Sequence, residues 1–319
     1  MSAATIEVDA PALPRAAVPS VPARDAATVS RAEEIDGLLR AGAFVRRPAS
    51  WVAASGDAFF KIPRRGDDCA ADLADADAAA EAEAEHAQAS LLARHEPSVN
   101  RPVARVRACL VYPRIDGVDL LERLRRERDA AVRQGLVEEA VSLCARLHRI
   151  APEALAGVPR HDYRRDPFAP APAGIQRRIH RRGARLVVRG FESRNFRVDA
   201  GTGRLVFFDP HALVLGLPEE DFTRFVLSLL MLRWGRRGSP SPWTRFDPAA
   251  LRAAYERAAG EPLDPVLVGY TFDLNLRMRR ENAARSIAAM RGRPARLAAS
   301  AYAWFHFRRI DAWRRRHEL

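Results

Sequence analysis

Between residue 30 and about residue 112 the chain alternates short apolar runs with turns, and after that helical spacing dominates. Ser30-Arg31-Ala32-Glu33 has the form of a capping box and predicts a short helix ending near Arg40. Runs of strand length follow at 43–46, 51–54 and 58–62, the last two separated by the turn Ser55-Gly56-Asp57. The Ala- and Glu-rich stretch 70–94 predicts one helix. Residues 103–106 and 108–112 predict a strand pair. The expected unit is a sheet of about five strands crossed by one helix.

After Tyr112-Pro113 the apolar positions fit helices over 118–133 and 136–149, with Gly135 between them. A Pro-rich loop at 159–173 leads through a basic stretch to a strand at 185–189. A hairpin then pairs 196–198 with 205–208 around Ala200-Gly201-Thr202-Gly203. From about Glu219 onward the pattern is helical. Residues 1–29, rich in Ala, Pro and Val without a sustained period, predict a disordered arm. The fold class is α+β: an arm (1–29), a sheet-and-helix unit (30–113) and a helical unit (114–319) carrying the hairpin region 185–210.

Composition narrows the partners. A chain of 319 residues can bury one large core or two lobes, and 48% hydrophobic with 29% charged residues fits a globular protein. A net charge of +12 favours anionic partners such as nucleotides, phosphorylated sugars or anionic lipid. Without a zinc-finger spacing or nucleic-acid-binding signature, the charge argues for no specific nucleic acid. Cys69, Cys109 and Cys144 are odd in number and share no metal-like spacing, as expected of reduced thiols in a cytoplasmic protein. No charged start followed by an apolar core marks a secretion signal. The longest largely apolar run, 225–232, is too short to cross a bilayer.

Of the 52 Lys and Arg residues, only Lys61 is a lysine. A lysine kept under such a bias suits a site that needs a compact ammonium on a slim stem, as at a phosphate. The plainer reading is the chance survival of one surface lysine. Lys61 lies in the third strand run. Glu81 and Glu85 share one face of the following helix at i,i+4 spacing, and either could pair with Lys61. Glu85 is favoured, because Ala89 and Leu92 continue its face toward a core. The alternative is a solvated acidic surface. Asn195 and Asp209 meet at the base of the expected hairpin, one amide oxygen and one carboxylate, which suits Mg²⁺. Taken singly, each is an ordinary turn or loop residue.

The order of these parts resembles the protein kinase-like fold, and in particular the aminoglycoside phosphotransferase and choline kinase superfamily, with similarity also to lipopolysaccharide kinases. The resemblance covers roughly residues 38–290 and is strongest from 185 to 232. Leu143-Cys144-Ala145-Arg146-Leu147-His148 looks like the family's helix ending in Leu-His. Val188-Arg189-Gly190-Phe191-Glu192-Ser193-Arg194-Asn195 aligns with its His-Gly-Asp-x-x-x-x-Asn loop. Leu217-Pro218-Glu219-Glu220-Asp221-Phe222 looks like the segment whose Asp braces that loop. The resemblance implies a bilobal fold with a small antiparallel-sheet lobe and a larger helical lobe. It further implies ATP or another nucleotide with Mg²⁺, and a hydroxyl acceptor on a small molecule, glycan or lipid-linked sugar. Lys61 would hold nucleotide phosphates, Glu85 would position Lys61, and Asn195 and Asp209 would bind metal. Tyr112 and Arg114 belong to the connector between lobes, whose backbone would face the adenine.

Two departures stand out. The family's catalytic Asp falls on Gly190, and its His on Val188. General-base help is worth roughly 10²- to 10⁴-fold, yet phosphoryl transfer rests mainly on positioning and charge neutralisation. Glu192 is one candidate substitute, and Asp162 and Asp166 are weaker ones. The Gly-rich phosphate loop is also absent: Arg47-Pro48-Ala49-Ser50 stands at the first hairpin, where Arg46 and Arg47 could meet phosphate by side chain. The alternatives are therefore a pseudokinase that binds nucleotide or a metabolite without transfer, and a kinase fold turned to other chemistry.

Two basic segments complete the pattern. Residues 177–182 hold Arg177, Arg178, His180, Arg181 and Arg182, either a clamp for an acidic substrate or a solvated turn. The C-terminal segment 293–316 interleaves Tyr302, Trp304, Phe305, Phe307 and Trp313 with arginines. It is either a terminal helix packed on the large lobe or a surface helix touching anionic membrane. The second option would make the protein peripheral at the inner membrane face.

Overall fold

The computed structural model describes residues 26–210, 212–233 and 246–317. Residues 1–25 of the expected arm lie outside these.

Alternation builds the small lobe. Strands β1 (Val45–Arg46), β2 (Ser50–Ser55), β3 (Ala58–Pro63), β4 (Ala104–Val106) and β5 (Cys109–Pro113) form an antiparallel sheet in the order β1-β2-β3-β5-β4. Trp51 pairs with Ile62 and Ala53 with Phe60, so these buried side chains form one apolar face. Ile35 of helix α1 (Ala26–Arg40) and Leu73 of α2 (Cys69–Ala74) cover that face. The opposite face, with Phe59 and Lys61, meets α3 (Ala76–His95).

Two helix boundaries differ from expectation. α1 begins at Ala26, so Ser30 lies inside it and caps nothing, and residues 26–29 are helical rather than part of an arm. The helix expected over 70–94 breaks at Asp75, whose side chain accepts from the Ala78 N–H and starts α3 anew.

The larger lobe holds β6 (Gly117–Asp119), α4 (Leu120–Arg126), α5 (Ala130–His148), α6 (Ala173–Arg182), β7 (Arg185–Val188), β8 (Phe196–Asp199), β9 (Leu205–Phe207), β10 (Leu213–Gly216), α7 (Pro218–Arg233), α8 (Pro248–Ala259), α9 (Pro265–Ala288) and α10 (Arg293–His317). The helix expected over 118–133 is replaced by β6, α4 and a break. Asp129 accepts from the N–H groups of Ala131 and Val132 to open α5, and Gly135 sits within that helix. Gly117 is required where β6 crosses β8: a Cβ there would stand 2.0 Å from the Val198 carbonyl oxygen. β6, β8 and β9 form one small sheet, and β7 and β10 another. The basic stretch 177–182 is helical rather than a turn. Arg178 pairs with Asp264, and Arg182 with Glu219 and Glu261.

The main core lies among α5, α7, α8 and α9 and includes Phe191, Phe196, Phe207 and Phe225 in mutual ring contact. The segment after α3 dips into this lobe before returning to the sheet. Asn100 N–H donates to Phe207 O at 2.8 Å, Phe207 N–H donates to Ser98 O at 2.8 Å, and Arg146 Nε donates to Glu96 at 2.6 Å. The whole is a bilobal kinase-like α+β fold with a cleft between its lobes.

Candidate active site

Lys61 is the centre of the cleft. Its neighbours Phe60 and Ile62 point into the small-lobe core, so the strand's alternation turns the ammonium to the other face. Nζ donates to both Glu85 oxygens, at 2.8 and 2.9 Å, and also to Asp209. The Tyr112 hydroxyl donates to Glu85 as well. Glu81 instead pairs with Arg65 at 2.8 Å, so the structure distinguishes the two acids that the helical spacing left open. Burial acts to lower the Lys61 pKa, but the charges of Asp209 and then Glu85 outweigh it and the net shift is upward. Burial, reinforced by Glu85, also raises the Tyr112 phenol, so it remains a donor. Asp209 adopts a left-handed backbone, φ 58°, a conformation uncommon outside glycine and one that collects at functional sites.

The loop aligned with the family's catalytic loop is braced from below. Val188 N–H donates to Asp221 Oδ2 at 2.6 Å, His148 Nε2 lies 3.2 Å from the same oxygen, and His148 Nδ1 lies 2.7 Å from the Tyr255 hydroxyl. Asp221 is fully buried. Burial raises its pKa against the opposing pull of His148. Gly190 has φ 112°, in the region that favours glycine. Asn195 Nδ2 donates to Gly190 O at 2.7 Å, which leaves Oδ1 as the amide's acceptor for a cation. Phe208 N–H donates to Asn195 O at 3.0 Å, so the hairpin brings Asn195 and Asp209 to one end. This donor set, one carboxylate and one amide oxygen, fits a hard cation such as Mg²⁺.

Glu192, the candidate substitute base, is buried and paired with Arg279 of α9 and with Arg194 at 3.0 Å, so its carboxylate is turned to these two guanidinium groups. Asp166 is engaged too, by His161 and by the N–H groups of Phe168 and Ala169. Burial acts to raise it, but these partners bring it below the usual carboxylate range.

The cleft has a volume of about 230 Å³. Val52, Phe59 and Lys61 form its roof, Phe208 and Asp209 its floor, and Tyr112 to Ile115 its back wall. Arg114 lines it, whereas Arg47 is exposed and does not. Two connector groups expected to face a nucleotide base are engaged within the protein: Arg114 N–H donates to Asp57 O at 2.7 Å, and Pro113 O accepts from Asn100 Nδ2 at 3.3 Å. Ser50, Asn100 and Arg197 also line the cleft, and sequence reasoning missed all three. Only Ser50 carried a signal, its place beside the first hairpin.

No family model matches this chain, and no curated protein matches it by sequence. Solved structures do match in shape. An aminoglycoside phosphotransferase from Streptomyces rimosus, in complex with ADP and streptomycin, aligns with 76% of this chain and 97% of its own at 17% identity and a TM-score of 0.51. An amicoumacin kinase in complex with AMP-PNP and Ca²⁺ aligns with 89% of this chain and 96% of its own, at 14% identity and a TM-score of 0.52. A choline/ethanolamine kinase family protein from Mesorhizobium loti gives 89% and 94% coverage, 16% identity and a TM-score of 0.51. The chain therefore has the protein kinase-like fold found in aminoglycoside phosphotransferases and choline kinases.

Proposed function

We propose that the cleft binds ATP or another nucleoside triphosphate with Mg²⁺, and that the protein is a phosphotransferase. Its acceptor would be a hydroxyl on a small molecule, a glycan or a lipid-linked sugar. The observation that carries this reading is Lys61 held between Glu85 and Asp209. An ammonium kept charged and oriented in a partly enclosed cleft is a preformed phosphate anchor. Lys61 would exchange its contact with Asp209 for phosphate oxygens, while Glu85, itself gripped by Tyr112, keeps the ammonium in place. Asn195 and Asp209 would hold the metal, which neutralises phosphate charge when bound. An aminoglycoside phosphotransferase in complex with ADP and streptomycin, and an amicoumacin kinase, are among the matching structures and support a small-molecule acceptor. With glycine at 190, acceleration would come from positioning and charge neutralisation, without a carboxylate to receive the hydroxyl proton.

Gly190 and the pairing of Glu192 favour a second reading, a pseudokinase that binds nucleotide or a metabolite and transfers nothing. Thermal unfolding with and without ATP and Mg²⁺ tests the shared premise. A ligand at a hundred times its Kd stabilises the folded state by about 2.7 kcal/mol. Wild type should show an upward shift that Lys61→Ala abolishes; equal shifts in both, or none in wild type, would refute a nucleotide site. ATP hydrolysis above background, lost in Asp209→Ala, would select the phosphotransferase. Background rates in both proteins would select the pseudokinase.

A further inference from the structure

Helix α10 divides into two faces. His306, Phe307, Ile310 and Trp313 are buried against the large lobe. Leu297 and Trp304, each 62% exposed, and Phe305, 42% exposed, face outward. Leu297 and Trp304 are seven residues apart, so they lie on one side of the helix about 10 Å from each other. Arg308 lies 4.9 Å over the Trp304 ring, and Arg309 5.5 Å over Phe305. The α9–α10 tip extends the same surface, for Met290 is 42% exposed and nearly every residue from 281 to 300 is exposed. From Ser286 to Ile310 the sequence has no Asp or Glu, and it carries Arg291, Arg293, Arg296, Arg308 and Arg309.

We propose that this tip and the outer face of α10 dock on an anionic lipid bilayer. An acid-free basic stretch selects an anionic partner. The apolar and aromatic side chains along it select a partner with an apolar interior, because a nucleic acid or an acidic peptide would leave Leu297 and Met290 against water or charge. Tryptophan and phenylalanine on an outer helix face with arginines beside them are the composition of an interfacial helix. No helix among the described residues is long and apolar enough to cross a membrane, so the contact lies in the interface plane. It depends on no property of the cleft.

The test is co-sedimentation of the full chain with vesicles of phosphatidylcholine alone or mixed with phosphatidylglycerol. Binding should require the anionic lipid and weaken with salt. It should fall roughly fivefold for Arg308→Gln, as expected for losing one basic residue at a charged surface. Trp304→Ser with Phe305→Ser should lower it by about tenfold or more, without altering nucleotide-dependent thermal shifts. These side chains are on the surface, and an unchanged unfolding midpoint would verify that the variants fold. Absence of binding to anionic vesicles would overturn the proposal. So would equal binding by the double variant, or equally tight binding of wild type to a soluble polyanion with the double variant unaffected.

Discussion

Gly190 differs from an aspartate by more than a missing carboxylate. Its φ of 112° is one that residues with a Cβ avoid, and its carbonyl is already engaged by Asn195. Gly190→Asp should therefore cost about 1–3 kcal/mol of stability from backbone strain alone. It should also fail to raise ATP turnover, because the new side chain leaves the backbone in a different direction from that of an unstrained aspartate. Urea unfolding and a hydrolysis assay on the same preparation check both halves; a stable variant with raised turnover would show that the loop accommodates a working carboxylate at this position. Lys61 was legible for the opposite reason. One lysine among arginines is visible in composition, and strand alternation then fixes which face it takes. The partner of Glu192 was not legible, since Arg279 lies 87 residues further along and only tertiary packing brings the two together.

The sequence foretold elements well where burial repeats and poorly where a cap or a distant strand decides. β2 and β3 emerge because their apolar alternation is long enough to be seen. β10 does not: Leu213–Gly216 is four residues whose sheet partner, β7, lies upstream across the whole hairpin. β6 is hidden within a helical pattern because Val118 also fits helical spacing. The end of α3 has an electrostatic role that periodicity hides. Burial acts to raise the Glu96 pKa, but the Arg146 hydrogen bond and the Ser98 N–H bring it below its ordinary value. A carboxylate with a lowered folded-state pKa contributes stability that is full above the ordinary glutamate range and lost as pH falls through the lowered value. Glu96→Gln should thus unfold more easily at neutral pH and show a shallower decline toward acid. Denaturant midpoints across that range would check it, and parallel pH profiles for wild type and variant would contradict it.

For the whole molecule, the bilobal architecture was legible through the family resemblance that the order of the motifs carries: a strand lysine, an acidic helix and a hairpin ending in aspartate. The cleft's finer lining was beyond reach, since Asn100 enters it through a contact with Phe207 of the other lobe and Arg197 through its strand pairing with β6. The same contacts predict a pattern of exchange. The Phe207 amide, hydrogen bonded to Ser98 across the lobes, should resist hydrogen exchange about as well as core strand amides, even without nucleotide. Exchange as fast as in surface loops would mean that the lobes separate there. The excursion of residues 96–100 into the large lobe runs beside the connector 113–117, and Asn100 bonds the two through Pro113. The lobes thus hang on two neighbouring straps instead of one chain. Paired straps resist twist more than bending, so the expected motion is a change of bite angle that keeps Lys61 opposite Asp209.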